Sequence, residues 1–137
     1  MRTVIPKPEK FAESFSGIPL GVPVITLTLL KYRDQSRYPN GMNDVSGRDA
    51  WKRYSEKALA LLKRVDAQYL YGGKACAPLI APEEERWDDF FLIRYRSVEK
   101  FIELVADPDY LRITIHRTAA LKDSRLIIAL ERESPLS

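Results

Sequence analysis

The segment WDDFFLIRYRSVEKFIELVADPDYLRITIHR, residues 87–117, decides the fold of this chain. Its first nine residues are rich in aromatic and aliphatic side chains, which predicts a buried strand over residues 87–95. Ser97 is a suitable N-cap for the helix predicted over residues 98–106, whose apolar side chains repeat at helical spacing. The segment therefore predicts a strand, a capped turn and an amphipathic helix in direct succession.

The end of this segment supports two interpretations. Residues 110–117 alternate apolar with polar side chains, which favours a strand. Asp107 and Pro108 instead form a helix start signal, because the carboxylate caps the helix and proline fits its first position. Leu111 and Ile115 also share one helical face, and we therefore predict a helix.

The remaining elements follow from similar signals along the chain. β-Branched and apolar residues predict strands, and a serine followed by helical periodicity predicts a second helix. We place Asp123 and Ser124 in a turn before the last strand. The predicted elements are a strand at 24–32 (VITLTLLKY), a helix from Ser46 to Val65, a strand at 67–74 and a strand at 125–131.

Length and composition predict one soluble domain. The chain has 137 residues, of which 45% are hydrophobic and 30% are charged, and its net charge is +3. A core of normal size fits this length, and the weak charge does not indicate a dedicated nucleic-acid binder. There is no secretory signal and no apolar run that could cross a bilayer, so we expect a cytoplasmic protein without membrane contact. Its single cysteine excludes an intrachain disulfide.

We divide the chain into an N-terminal arm at 1–22, a domain at 23–131 and a tail at 132–137. The arm holds several prolines and glycines, with a helical turn suggested near residues 8–15; it either lies along a surface, including a partner's, or is disordered. The connection at 33–46 is long for a compact domain, which is typical of a lid, a binding loop or a disordered insertion. Tyr38 and Met42 would be lid residues if this loop covers a pocket.

The order β-α-β-β-α-β predicts an α+β, ferredoxin-like fold with helices on one face of a four-stranded antiparallel sheet. Three of the strands are apolar on both sides. Two helices can cover only one face, so we expect a second copy of the chain to cover the other. The prediction is a homodimer joined through its sheet faces, a dimeric α/β barrel, with a higher oligomer left open.

The run W-x-x-F-F-x-I-R-Y-R-S-x-E-K-F, followed by D-P-D-Y and H-R-T-A-A-L-K-D-S, resembles a family of small uncharacterised bacterial proteins in the dimeric α/β-barrel superfamily. The resemblance covers about residues 23–131 and is most specific over 87–124. It implies a helix over 108–121 and two sheets packed into a barrel. It also implies kinship with cofactor-free antibiotic-biosynthesis monooxygenases, muconolactone isomerases and haem-degrading enzymes. The family has no agreed chemistry, so the resemblance supports the fold more than the function.

His116 and Arg117 are candidate functional residues at the end of the decisive segment. His116 is the only histidine and the candidate for proton transfer or for orienting a carboxylate, although a surface or capping role is commoner. Arg117 matches the arginine of the family pattern. It would either anchor a ligand anion or tie helices together through Asp107 or Asp109.

Arg94 is the charged residue within an apolar strand. A buried guanidinium must be paired, and its partner would be Asp89, Glu99, a residue of the dimer mate or a bound acid. Aromatic residues on strands or at their ends could line a pocket for a flat substrate, although core packing explains most of them without a ligand. The aromatic candidates for substrate binding are Tyr32, Tyr71 and Trp87.

The sequence supports two function classes. The first is a homodimer that binds a small aromatic or acidic molecule, with a cofactor-free oxygenase or isomerase as its enzymatic form. The second is a non-catalytic interaction module. A binder should contain an unfilled pocket with convergent polar groups, whereas a module should contain a filled cleft and an Arg94 neutralised by protein carboxylates. We expect no cofactor, no metal and no nucleic-acid partner, because ligand clusters and RNA-binding motifs are missing from the sequence.

Overall fold

The computed structural model describes residues 15–134, which form a four-stranded antiparallel sheet with helices packed against one face. The strand order is β2-β3-β1-β4, and each neighbouring pair is antiparallel. The predicted α+β, ferredoxin-like fold is confirmed. Its elements are β1 (Val24–Tyr32), α1 (Gly47–Arg64), β2 (Gln68–Lys74), β3 (Asp89–Tyr95), α2 (Val98–Ala106), α3 (Pro108–Ala120) and β4 (Leu121–Leu130).

Each helix begins at a side-chain cap. Ser46 Oγ accepts a hydrogen bond from the backbone NH of Asp49 at 3.1 Å, and Ser97 Oγ accepts one from the NH of Lys100 at 3.2 Å. The Asp107 carboxylate caps α3 by accepting from the NH of Asp109 at 2.8 Å. Because this cap is followed by proline at the first helical position, α3 is a helix in spite of the alternating pattern. The predicted helix is confirmed.

β4 begins earlier than predicted, at Leu121 rather than at residue 125. The turn predicted at Asp123 and Ser124 is wrong, because both residues pair with β1, across from Lys31 and Leu30. Leu121 is fully buried and already has an extended backbone, so α3 passes directly into the strand. Pairing with β1 satisfies the backbone of this segment and overrides its local preference for a turn.

Gly47 lies where the start of α1 meets two other segments. Its NH donates to the carbonyl of Arg33 at 3.1 Å, and the NH of Arg33 donates to the carbonyl of Ala120 at 2.8 Å. A Cβ atom at position 47 would lie 2.1 Å from the Arg33 oxygen and 2.7 Å from the Ala120 oxygen. Glycine is therefore required here for the close approach of three backbones.

The core lies between the sheet and the helices. Its larger cluster joins the ends of β1 and β3 to all three helices, and a smaller cluster lies where α1 starts and α3 ends. Of the predicted arm, only residues 15–22 fall in the described part; Phe15 packs edge-on against Phe101 of α2, with ring centroids 6.1 Å apart. The helical turn predicted near residues 8–15 lies mostly outside the described residues. The buried members of the larger cluster are Val24, Leu61, Val65, Ile93, Tyr95, Val98, Phe101 and Leu104.

The opposite side of the sheet, which we call the open face, carries apolar side chains from three strands. Leu27 of β1 lies between Leu92 of β3 and Ile127 of β4 in the register. The helices form the core with the other side of the sheet, and Ile127 on the open face is 53% exposed. The apolar character predicted for both faces is confirmed. The apolar residues of the open face are Ile25, Leu27, Leu29, Phe90, Leu92 and Ile127.

Within the described part of the chain, no helix combines the length and apolarity needed to span a bilayer.

Candidate functional site

A cavity of about 750 Å³ lies between the helix-facing side of the sheet and the helices. We call it the sheet–helix cavity. Strand residues such as Thr28 and Phe91 form its floor, and residues of α1 such as Trp51 and Tyr54 form its wall. Most of the lining is apolar or aromatic, which suits a flat organic molecule.

Arg117 is the most unusual residue of this lining. It lies in the last turn of α3, is only 5% exposed, and its Nη1 donates to no acceptor. No carboxylate among residues 15–134 forms an ion pair with it; Asp107 and Asp109 pair instead with Arg64, at 3.2 and 2.9 Å. The carbonyl ends of α3 offset part of its charge. A buried guanidinium without a carboxylate partner leaves an uncompensated positive charge at the cavity.

Two tyrosine hydroxyl groups lie in the same part of the cavity. Tyr54 and Tyr110 share a hydrogen bond of 2.9 Å between their hydroxyl oxygens. Burial raises the pKa of Tyr54 well above its ordinary value, although the charge of Arg117 acts in the opposite direction. The Tyr54 hydroxyl is therefore a neutral hydrogen-bonding group at physiological pH. We call Arg117 and these two tyrosines the arginine end of the cavity.

A second polar group, which we call the aspartate end, consists of Asp89, Tyr32 and Arg48. The Tyr32 hydroxyl donates to Asp89 Oδ2 at 2.6 Å, and Arg48 Nη1 donates to the same oxygen at 3.0 Å. The Arg48 guanidinium also lies 4.5 Å from the centre of the Tyr32 ring. Burial, and then the Asp89 carboxylate, raise the pKa of Tyr32, so this phenol remains a donor. All three residues line the cavity.

His116 lies outside the lining of the cavity. Its Nδ1 lies 2.8 Å from the hydroxyl of Tyr38, and Arg53 Nη1 donates to that hydroxyl at 3.2 Å. Burial, and then the charges of Lys57 and Arg53, lower the pKa of His116. The histidine is therefore mainly neutral near pH 7, and its Nδ1 shares a hydrogen bond with the Tyr38 hydroxyl. The predicted role in proton transfer stays a prediction, and this position does not support it.

The loop at 33–46 does not cover the cavity. The NH of Arg37 donates to the carbonyl of Ala119 at 3.0 Å, which holds the loop against the end of α3. Tyr38 packs edge-on against His116, with ring centroids 5.5 Å apart, and Met42 is exposed. The two predicted lid residues are absent from the cavity lining.

Arg94 points to the open face rather than to the cavity. Its Nε donates to Glu131 Oε1 at 3.1 Å, so the partner is neither of the two carboxylates named from the sequence. Asp89 is held by Tyr32, and Glu99 accepts from the NH of Gly21 at 3.1 Å. The expected ion pair exists, but the expected partners were wrong, because Arg94 and Asp89 point to opposite faces of β3.

The other predicted aromatic residues divide between the cavity and the surface. Tyr32 lines the cavity, whereas Tyr71 lies on the open face against Phe90, with ring centroids 5.8 Å apart. Trp87 precedes β3; its Nε1 donates to Glu85 at 3.1 Å, and the Arg125 guanidinium lies 5.0 Å from its ring. The structure therefore brings Tyr32 and Arg117 together in one cavity and leaves the other predicted site residues outside it.

The sequence did not identify four of the polar or aromatic lining residues as functional. Trp51 and Tyr54 lie within the helix predicted from Ser46 to Val65, and Tyr110 begins the segment 110–117, for which a helix was predicted. The only signal that could have found them was a polar-tipped aromatic side chain on a buried face, since such groups need a hydrogen-bond partner. Asp89 was considered only as a possible partner of Arg94.

Comparison with solved structures places the fold among known proteins. RPA0582 from Rhodopseudomonas palustris, described as a protein of unknown function, has 29% identity and a TM-score of 0.89, covering 98% of this chain and all of the other. A dimeric protein of unknown function with a ferredoxin-like fold from Bacteroides fragilis has 13% identity and a TM-score of 0.53, covering 80% and 96%. SnoaB, a cofactor-independent oxygenase from Streptomyces nogalater, has 10% identity and a TM-score of 0.53, covering 85% and 99%. The last two matches concern the fold alone.

The sequence itself matches one family model. No curated protein matches the chain significantly. The model described as a domain of unknown function, DUF1330, matches residues 38–130, which include α1 to α3 and three of the four strands. The resemblance noted from the sequence is confirmed at the level of an uncharacterised family with a ferredoxin-like fold. The chain belongs to the DUF1330 family.

Proposed function

We propose that this protein is a homodimer that binds a small aromatic acid in the sheet–helix cavity of each subunit. The observation that carries the proposal is Arg117, a buried guanidinium that lines the cavity and has an Nη1 without an acceptor. An anionic group of a ligand would supply the missing charge and the missing acceptor together.

The surroundings of Arg117 favour an aromatic acid over a small inorganic anion. The rings of Trp51 and Phe91, with centroids 6.2 Å apart, both line the cavity. Flat rings stack well on such walls, and the Tyr54 and Tyr110 hydroxyls can bond a polar substituent or the acid itself. A free inorganic anion would leave most of this apolar surface unused.

The activity class that we propose to test first is a cofactor-free oxygenase or isomerase. SnoaB, which shares the fold, is described as a cofactor-independent oxygenase. The module alternative required a filled cleft and an Arg94 paired with a protein carboxylate. Arg94 meets that second requirement through Glu131. The unfilled cavity and the uncompensated Arg117 favour the binder.

The proposed dimer rests on the open face. Each large aliphatic side chain that is moved from water into an interface contributes about 1.5–3 kcal/mol. Residues such as Leu27, Leu92 and Ile127 form one continuous apolar surface, and a second copy offers the same surface in return. The Bacteroides fragilis protein with this fold is described as dimeric.

Calorimetric titration with a panel of aromatic carboxylates and the corresponding neutral amides tests the proposal. We expect at least one acid to bind the wild-type protein, its amide to bind at least tenfold more weakly, and Arg117→Met to lose this preference for the acid. Arg112→Met removes an exposed arginine from the same helix and should bind like the wild type. Equal binding of acids by Arg117→Met and wild type would refute the proposal, and so would a panel in which no acid binds.

A further inference from the structure

We infer that the ligand of the sheet–helix cavity carries a hydroxyl or amino group at the end opposite its acid group, and that Asp89 accepts a hydrogen bond from it. The inference rests on the proposed function, because it assumes that Arg117 holds the acid. It adds the orientation of the ligand and its chemical class.

Asp89 has one occupied oxygen and one open oxygen. Tyr32 and Arg48 both donate to Oδ2, at 2.6 and 3.0 Å. No residue between 15 and 134 donates a hydrogen bond to Oδ1. The side chain is 24% exposed and lines the cavity. Asp89 is therefore fixed in position by two donors and still has acceptor capacity for a third.

The charge of Asp89 determines which ligand group suits this end. Arg48, the cation of this end, is already paired with Asp89 Oδ2. A carboxylate placed beside the open Oδ1 would meet a like charge, whereas a hydroxyl or amino group would donate a charge-assisted hydrogen bond to it. Arg117, at the other end, has the opposite preference. The two ends therefore admit an acid in one orientation, with its anionic group at Arg117.

The distance between the two ends indicates the size of the ligand. Arg48, Trp51 and Tyr54 follow one another at intervals of three residues along α1, and all three line the cavity. At a rise of 1.5 Å per residue, the six residues from Arg48 to Tyr54 span about 9 Å. One aromatic ring with the acid and the hydroxyl or amino group at opposite positions, together with a hydrogen bond of about 2.8 Å at each end, covers this span when it lies along Trp51. The inferred class is a one-ring aromatic acid with a hydroxyl or amino group opposite the carboxylate.

Three probes separate the contributions of the two ends. The first is 4-hydroxybenzoic acid, the second is benzoic acid, which lacks the hydroxyl, and the third is phenol, which lacks the carboxylate. In the wild-type protein we expect the hydroxy acid to bind about tenfold more tightly than the plain acid, as for a hydrogen bond to a charged group. Phenol should bind least tightly, because it cannot use Arg117.

Variants of the aspartate end identify the acceptor. Asp89→Ala should bind both acids with the affinity of the plain acid for the wild type, which also serves as a check that the cavity is intact. Asp89→Asn preserves the shape but not the charge, and should reduce the preference for the hydroxy acid. Tyr32→Phe leaves Asp89 in place and frees a lone pair of Oδ2, so it should retain the preference.

The outcomes distinguish this inference from the proposed function. If both acids bind the wild type equally and Arg117→Met weakens both, the inference fails and the proposed function stands. A preference that persists in both Asp89 variants, or that is lost in Tyr32→Phe alone, also overturns the assignment of Asp89. Failure of both acids to bind counts against the inference and the proposed function together.

Discussion

Replacing Arg117 with methionine should stabilise the ligand-free protein. Arg117 is 5% exposed and its Nη1 has no acceptor, so folding removes this donor from water without replacing its hydrogen bond. An orphaned buried donor costs about 1–3 kcal/mol. Methionine fills a similar space without a charge, although it forgoes about 0.3–1 kcal/mol that the cation gains at the end of α3. The net expectation is an increase of about 1–2 kcal/mol in the free energy of unfolding.

Urea denaturation monitored by circular dichroism, at one fixed protein concentration, measures this change. Arg112→Met is the matched control, since Arg112 is exposed on the same helix, and its effect should stay within about 0.5 kcal/mol. A bound acid should reverse the order of stability. At one hundred times its dissociation constant, the acid adds about 2.7 kcal/mol to the wild type, whereas Arg117→Met gains little.

The reasoning is refuted if Arg117→Met is less stable than the wild type in the absence of ligand. That result would mean that the folded protein itself compensates the guanidinium. The cavity would then have no need of an anion, and the main support for the proposed function would be lost.

Three further predictions concern a histidine, a glycine and the open face. The pKa of His116 is lowered from its ordinary 6.5. The stability that the neutral histidine contributes is therefore complete above pH 6.5 and is lost as the pH falls from 6.5 towards the pKa of the folded protein. The melting temperature of the wild type should fall accordingly between about pH 7 and 5.5, and that of His116→Ala should lack this dependence. Gly47→Ala should lose about 1–3 kcal/mol in urea denaturation because its Cβ meets two backbone oxygens, whereas Gly17→Ala, with open space around it, should change by less than about 0.5 kcal/mol. Leu27→Glu would bury a charge in the proposed interface, so it should yield monomers in analytical ultracentrifugation at micromolar concentration. The control Leu111→Glu changes an exposed residue of α3 and should remain dimeric. A wild-type monomer would contradict the proposed dimer.

The helices and most of the sheet could be predicted because local signals and tertiary packing agree there. Ser46, Ser97 and Asp107 each start a helix in the sequence and in the structure. The start of β4 could not be predicted, because Asp123 and Ser124 favour a turn locally. They adopt a strand only because β1, about ninety residues earlier in the chain, supplies partners for their backbones.

The candidate site could be predicted only in part. Arg94 was the more conspicuous arginine in the sequence because it interrupts an apolar strand, yet Glu131 neutralises it on the open face. Arg117 drew attention only through the family pattern, yet its Nη1 is buried at the cavity without an acceptor. Whether a charge finds a partner depends on how distant segments meet in space, and neither periodicity nor spacing contains that information.

The alternation of β1 has a consequence for how this protein would respond to its own concentration. Thr26, Thr28 and Leu30 form part of the cavity floor, while the side chains between them belong to the open face. A single backbone thus serves two surfaces, and a small tilt of that strand alters both. If a second subunit covers the open face, any effect of dimerisation on the affinity of the cavity for its ligand must be matched by an equal effect of the bound ligand on dimerisation. Dilution, which separates the subunits, would then change the affinity of the cavity for its ligand, although the ligand does not contact the neighbouring subunit.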